Sequence, residues 1–151
     1  MSTHKDFRFT VDVDRSAERT VFARSEEGLG LTIATPPEFR DGVPGLWSPE
    51  HLLVAATASC YALTLAAVAE RREVPLVNAS VTGAGHVTRR ADGRFGFVVI
   101  ELGVTLTTEE GFEDDMRRVA RAAEAGCIVS QALEIPVEIE LTILTAGPVF
   151  V

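Results

Sequence analysis

The chain has 151 residues, two cysteines and a formal net charge of −8, from 14 Lys and Arg against 22 Asp and Glu. That length fits one domain, residues 1–151, with a core large enough to need neither a disulfide nor a metal for folding. The acidic balance, with Arg71-Arg72 and Arg89-Arg90 as isolated pairs, argues against binding nucleic acid or an anionic membrane surface, which calls for clustered cations.

The opening Met1-Ser2-Thr3-His4-Lys5-Asp6 lacks the apolar centre of a signal peptide. The longest apolar run is interrupted by Thr57, Ser59 and Thr64 and reads as too polar for a membrane span. A cytoplasmic location is the expectation, where thiols are kept reduced and a cysteine pair is more often redox-active than a staple.

The first third reads as β structure. Phe7, Phe9, Val11 and Val13 alternate with Arg8, Thr10, Asp12 and Asp14, the period of a half-buried strand. Residues 19–24 form a weaker candidate, and Leu29, Leu31 and Ile33 alternate again after a turn at Glu27-Gly28. Residues 35–47 hold Pro36, Pro37, Asp41-Gly42 and Pro44-Gly45 and read as a loop.

Ser48-Pro49-Glu50 is a helix start: a side-chain cap, a proline suited to the first helical position, and an acid on the positive end of the dipole. The pattern predicts a helix to about Glu73, since Pro75 bars continuation. Leu52, Leu53, Ala56, Cys60, Leu63 and Ala67 place apolar residues on nearly every side, which predicts a central buried helix. Val77 to Val87 follows as a strand, with Gly83 and Gly85 suggesting a bulge. Asp92-Gly93 signals a hairpin to a return strand from Phe95 to Leu106.

Phe112, Met116, Val119, Ala120 and Ala123 recur at helical spacing and predict an amphipathic helix, with Gly126 as a left-handed cap. Residues 127–133 suggest a further short helix. Val137, Ile139, Leu141 and Ile143 alternate as a final strand. The predicted order β-β-β-α-β-β-α-α-β is an α+β fold.

The cysteines sit in unequal settings. Cys60 lies deep in the apolar helix and Cys127 follows Ala125-Gly126. Three readings stand: two buried spectators packing as small hydrophobes, one structural disulfide, or one working thiol pair. A working thiol reacts as thiolate. Apolar burial would raise the Cys60 pKa, so a reactive Cys60 calls for a cation from elsewhere, arginine being the natural choice and itself needing a carboxylate. Glu50 precedes Cys60 by ten residues, about 15 Å along a straight helix, too far for contact within one helix. It could anchor such an arginine, or face Cys60 of a second copy, since the small residues of this helix favour close packing in a symmetric dimer. If a short helix starts at Cys127, its first amides could stabilise a thiolate there.

Ser48-Pro49-Glu50-His51-Leu52-Leu53, Ala55-Ala56 and Ser59-Cys60 together resemble the first cysteine motif of the OsmC/Ohr family, the osmotically inducible protein C and organic hydroperoxide resistance proteins. Ala125-Gly126-Cys127-Ile128-Val129-Ser130-Gln131-Ala132-Leu133 resembles its second. The resemblance implies an intertwined α+β homodimer, strands flanking a long central helix, with sites at the subunit interface. It implies thiol-dependent reduction of organic hydroperoxides, with H2O2 as a further substrate. Cys60 would be the peroxidatic cysteine and Cys127 the resolving one, joined in a disulfide during turnover. Glu50 would orient the activating arginine, which the OsmC branch places at Arg40 and the Ohr branch at Arg19; the second cysteine motif is closer to the OsmC branch, so Arg40 is the expectation. A dithiol, lipoyl-type, would restore the thiols, with no cofactor or metal. His51 and Ile128 depart from the family's common residues at their positions.

Trp47, Tyr61 and Phe39 are candidates to line a substrate pocket, although aromatics near a helix start are more often core. His4, His51 and His86 have no metal-ligand spacing. A redox sensor and a non-enzymatic ligand-binding protein of the same fold are the competing functions.

Overall fold

The computed structural model describes residues 5–147; residues 1–4, with His4, and 148–151 lie outside the described residues. The chain divides into two compact units, Met1–Leu52 and Leu53–Val151, and the boundary falls inside a helix rather than in a linker. The element order is the one expected: β1 (Val11–Arg15), β2 (Thr20–Ser25), β3 (Gly30–Ala34), α1 (Pro49–Arg71), β4 (Leu76–Arg89), β5 (Phe95–Glu109), α2 (Glu113–Gly126), α3 (Ile128–Ala132) and β6 (Val137–Ala146).

In the first unit, β1, β2 and β3 form an antiparallel meander. β1 starts later than its alternation suggested. Its ladder runs from Val11↔Ser25 to Arg15↔Val21, and β2 ends at Ser25, so Phe7 and Phe9 have no strand opposite them. Both rings are exposed. The loop from Thr35 to Trp47 is held to the meander by backbone bonds: Thr35 N–H donates to Arg19, Val43 N–H to Thr35, and Ala34 N–H to Trp47. Trp47 also bridges Ile33, which brings the chain to the start of α1.

α1 opens as its sequence dictates. The His51 amide donates to Ser48 Oγ at 3.2 Å, so Ser48 caps the helix ahead of Pro49. The helix ends two residues before the expected limit. Glu73 takes a left-handed conformation (φ 56), the Val74 amide returns to the Ala69 carbonyl and the Glu73 amide to Glu70, closing a Schellman cap just before Pro75.

The second unit is a three-stranded sheet ordered β4-β5-β6, antiparallel between β4 and β5 and parallel between β5 and β6. Parallel neighbours need a crossover, and α2 with α3 supplies it. The register aligns Gly83, Leu102 and Ile139 in one row and Val81, Val104 and Leu141 in the next. This face carries the core: Ile100, Leu102, Val104 and Leu106 are buried beneath Tyr61, Leu65 and Val68 of α1 and Met116, Val119 and Ala123 of α2. The α2 residues recur at helical spacing, which is why one face of that acidic helix docks and the other stays wet.

Four expectations change here. Gly83 and Gly85 do not mark the bulge, which lies at His86/Val87 with a second irregularity at Leu76/Asn78. They instead let α1 come close: a Cβ on Gly83 would stand 2.7 Å from Val54 Cγ1, and one on Gly85 2.7 Å from Val54 Cγ2. Gly126 is not a left-handed cap; α2 closes at Cys127, whose backbone is extended (φ −72, ψ 105) and feeds directly into α3. Finally, α1 buries only one stripe in the protomer, Thr57, Tyr61, Leu65, Val68 and Ala69, while Leu63 on the opposite side is 73% exposed. By length and composition α1 is apolar enough to cross a membrane, with a mean hydropathy of 2.0, more so than its threonines and serine suggested. Its buried stripe is nonetheless part of the core against the sheet.

Candidate functional site

Both cysteines belong to the second unit, and the fold brings them together. Cys60 comes from the middle of α1, and Cys127 from the junction of α2 and α3. The Cys60 thiol hydrogen-bonds the Cys127 side chain, the Thr64 hydroxyl one turn along α1, and the backbone amides of Val129 and Ile128. Both sulfurs are free thiols. Burial is the largest single influence on Cys60 and pushes its pKa up; the hydrogen bonds from Val129, Cys127, Thr64 and Ile128 together outweigh it and hold the thiol below its ordinary value. Hydrogen bonds alone supply this lowering. The amides of Ile128 and Val129, at the start of α3, bear on Cys60.

Cys127 is fully buried, and Ser130 donates its hydroxyl to the Cys127 Sγ at 3.2 Å. Beside it, Tyr61 is 1% exposed and donates to the Ala120 carbonyl at 3.3 Å. Its phenol is pushed up to about 12, first by burial and then by the negative charges of Glu124 and Cys127. Of the two readings open for Tyr61, pocket lining and core, the core one holds within the protomer.

In the first unit, Glu50 and Arg19 line one cavity of about 360 Å³ with Arg15, Ile33, Phe39 and Pro49. Oε2 of Glu50 is buried in this unit with no hydrogen-bond partner among the described residues. An unpaired buried carboxylate oxygen is expensive, and a donor is the natural complement. Arg19 is half-exposed and its Nη2 lies 3.2 Å from Asp41; Arg40 approaches the same carboxylate at 3.6 Å from a side chain that is 94% exposed. Arg40 is not among the residues lining the cavity. Trp47 stacks edge-on with His51 at 6.4 Å and stays half-exposed, outside the cavity, whereas Phe39 lines it. His51 Nδ1 lies 2.6 Å from Ser48 Oγ, so the histidine closes the helix cap. Among the described residues, no three His, Cys, Asp or Glu side chains group to hold a metal ion.

Two hydroxyl residues escaped the sequence reading, Thr64 and Ser130. The signal was present: Thr64 stands four residues after Cys60 and Ser130 three after Cys127, the spacings at which helical side chains meet.

Comparison with known proteins agrees with this architecture. The family model described as OsmC-like protein matches residues 42–142. The uncharacterized protein YmaD of Bacillus subtilis (strain 168) is 25% identical over 140 residues, 90% of this chain and 93% of its own. An OsmC-like protein of unknown function from Vibrio cholerae superposes with a TM-score of 0.81 at 16% identity, over 91% of this chain and 100% of that one. An organic hydroperoxide resistance protein from Elizabethkingia anophelis gives 0.75 at 20% identity, over 97% and 100%. At these identities the structures speak for the fold alone, while the family match spans two thirds of the sequence with both cysteines inside it. The chain therefore belongs to the OsmC-like family, which includes the organic hydroperoxide resistance proteins.

Proposed function

We propose that this protein is a thiol peroxidase that reduces organic hydroperoxides to alcohols. The observation that carries the reading is the Cys60 thiol, hydrogen-bonded to the Cys127 side chain and held below its ordinary pKa by a set of donors. Two neighbouring thiols, one inclined to ionise, are what a two-cysteine peroxidase needs.

In this scheme the Cys60 thiolate attacks one peroxide oxygen and the O–O bond breaks. The bonding pair leaves with the alkoxide, which takes up a proton as the alcohol. Cys60 becomes a sulfenic acid. The Cys127 sulfur displaces water from it and a Cys60–Cys127 disulfide forms. A dithiol of lipoyl type then restores both thiols by exchange. Of the two arginines that the family resemblance offers, the cavity shared by Arg19 and Glu50 supports Arg19 over Arg40 as the guanidinium that assists peroxide cleavage. The orphan Glu50 oxygen supports Glu50 as its anchor. The working form is a homodimer in which Glu50 and its arginine serve Cys60 of the second copy. Its support is apolar surface left open in one protomer: Leu63 of α1, and Phe7, Phe9, Val11 and Val13 along the N-terminal segment.

The test is consumption of cumene hydroperoxide by reduced protein, with dihydrolipoamide and, separately, a thioredoxin system as reductant. Turnover should vanish in Cys60→Ser, and Cys127→Ser should accumulate a trappable sulfenic acid. Equal rates in wild type and Cys60→Ser defeat the reading. Stoichiometric oxidation without turnover under either reductant marks a redox sensor instead.

A further inference from the structure

The two sulfurs differ in access and in donors. Cys127 has no exposed surface, whereas Cys60 is partly exposed. Ser130 donates to Cys127 Sγ at 3.2 Å. Thiol–disulfide exchange proceeds along the S–S axis, so the sulfur that is attacked keeps the incoming group and the other departs as thiolate. Its rate depends on which sulfur can be reached and on how well the leaving thiolate is stabilised. A thiolate released into a fully buried site is costly unless a donor meets it.

We propose that the disulfide is opened at Cys60, with Cys127 leaving as a buried thiolate that the Ser130 hydroxyl stabilises. This rests on the peroxidase reading for the origin of the disulfide, but the direction of opening follows from the burial of Cys127 and its bond to Ser130. A thiolate of the reducing dithiol attacks Cys60 Sγ. The Cys60–Cys127 bond breaks, its electron pair passes to Cys127, and a mixed disulfide forms on Cys60. The second thiol of the reductant, as thiolate, attacks its own bound sulfur, closes the reductant's disulfide and releases Cys60. Two electrons move from dithiol to protein, and the Cys127 sulfur recovers its proton from solvent. Access gives the exchange its direction, since the partly exposed sulfur is the one an incoming thiolate reaches, and Ser130 meets the charge that this leaves on the buried one.

The experiment oxidises the full-length protein with one equivalent of cumene hydroperoxide and then adds N-acetylcysteine, a monothiol that cannot complete the cycle. After acid quenching and alkylation, peptide mapping is expected to find the adduct on Cys60 and the alkyl group on Cys127. The reverse distribution overturns the proposal. In stopped flow, Ser130→Ala should be reduced by dihydrolipoamide about five-fold more slowly, the effect of one lost hydrogen bond of about ordinary strength. Ser130→Thr should recover most of the reduction rate. Equal reduction rates in wild type and Ser130→Ala overturn the role of the serine. If peroxide yields no disulfide, the peroxidase reading falls, and the same mapping on protein oxidised with diamide still decides the direction of opening. Failure to form the disulfide with either oxidant overturns the proposal as well.

Discussion

Thr64 and Cys60 lie one turn apart on α1, and the hydroxyl of the first hydrogen-bonds the thiol of the second. An apolar helix thus carries its own polar partner for the sulfur. The remaining donors arrive from α3, an element remote in sequence.

Removing that hydroxyl should raise the Cys60 pKa, because the hydrogen bond favours the thiolate. Thr64→Val is expected to slow alkylation of Cys60 by iodoacetamide at neutral pH about two- to five-fold, a moderate effect because a partly exposed thiolate is also solvated by water. The pH profile of alkylation, or thiolate absorbance near 240 nm, checks it. An unchanged profile would show that the amides of Ile128 and Val129 suffice.

Tyr61 is the sole tyrosine of the chain, so phenolate absorbance reports on it alone. Ionisation should occur near about 12 in the folded protein, above the ordinary value of a free phenol. The sign follows from linkage: a phenol whose pKa is raised on folding contributes stability that is whole below its unfolded pKa, about 10, and is lost as pH rises through about 12. Urea midpoints should therefore fall across that window in wild type, and the part due to Tyr61 should be missing in Tyr61→Phe. Because the Cys127 charge helps to raise the phenol, Cys127→Ser should shift its titration downward.

The close approach of α1 to β4 should tolerate no side chain at Gly83. Gly83→Ala sets a methyl 2.7 Å from Val54 Cγ1 and is expected to destabilise the protein by about 1–3 kcal/mol in urea denaturation. Val54→Ala in the same chain should recover part of the loss by clearing that contact. Additive losses in the double variant would contradict this account.

If Arg19 is the assisting guanidinium, Arg19→Met should lower kcat/KM for cumene hydroperoxide about ten-fold or more, equivalent to about 1.4 kcal/mol of transition-state stabilisation. Arg40→Met, at a solvated side chain, should remain within about two-fold. The opposite ranking would return the role to Arg40.

Much of this was legible in the chain. Ser48-Pro49-Glu50 announces the start of α1, the alternation of Val137, Ile139, Leu141 and Ile143 announces β6, and Asp92-Gly93 announces the hairpin, with Gly93 taking the left-handed conformation that its turn requires (φ 82). The errors have a common cause in partners that lie far along the chain. Phe7 and Phe9 alternate correctly yet lie outside β1 because β2 is too short to pair them. Gly83 and Gly85 reveal no bulge, only the nearness of Val54, which no local pattern records. The two cysteine motifs single out Cys60 and Cys127, but the amide donors of Cys60 belong to a segment nearly seventy residues later, and no local pattern shows them. The second cysteine motif favours Arg40 over Arg19, but no local pattern records which of them the folded loop brings to the cavity with Glu50.

The parallel pairing of β5 with β6 has a consequence for a shortened chain. Cys127 rides on the crossover between those strands. A fragment ending before β6 carries both sulfurs but lacks the strand that ties the far end of the crossover to the sheet, so truncation there should leave the pair less firmly held.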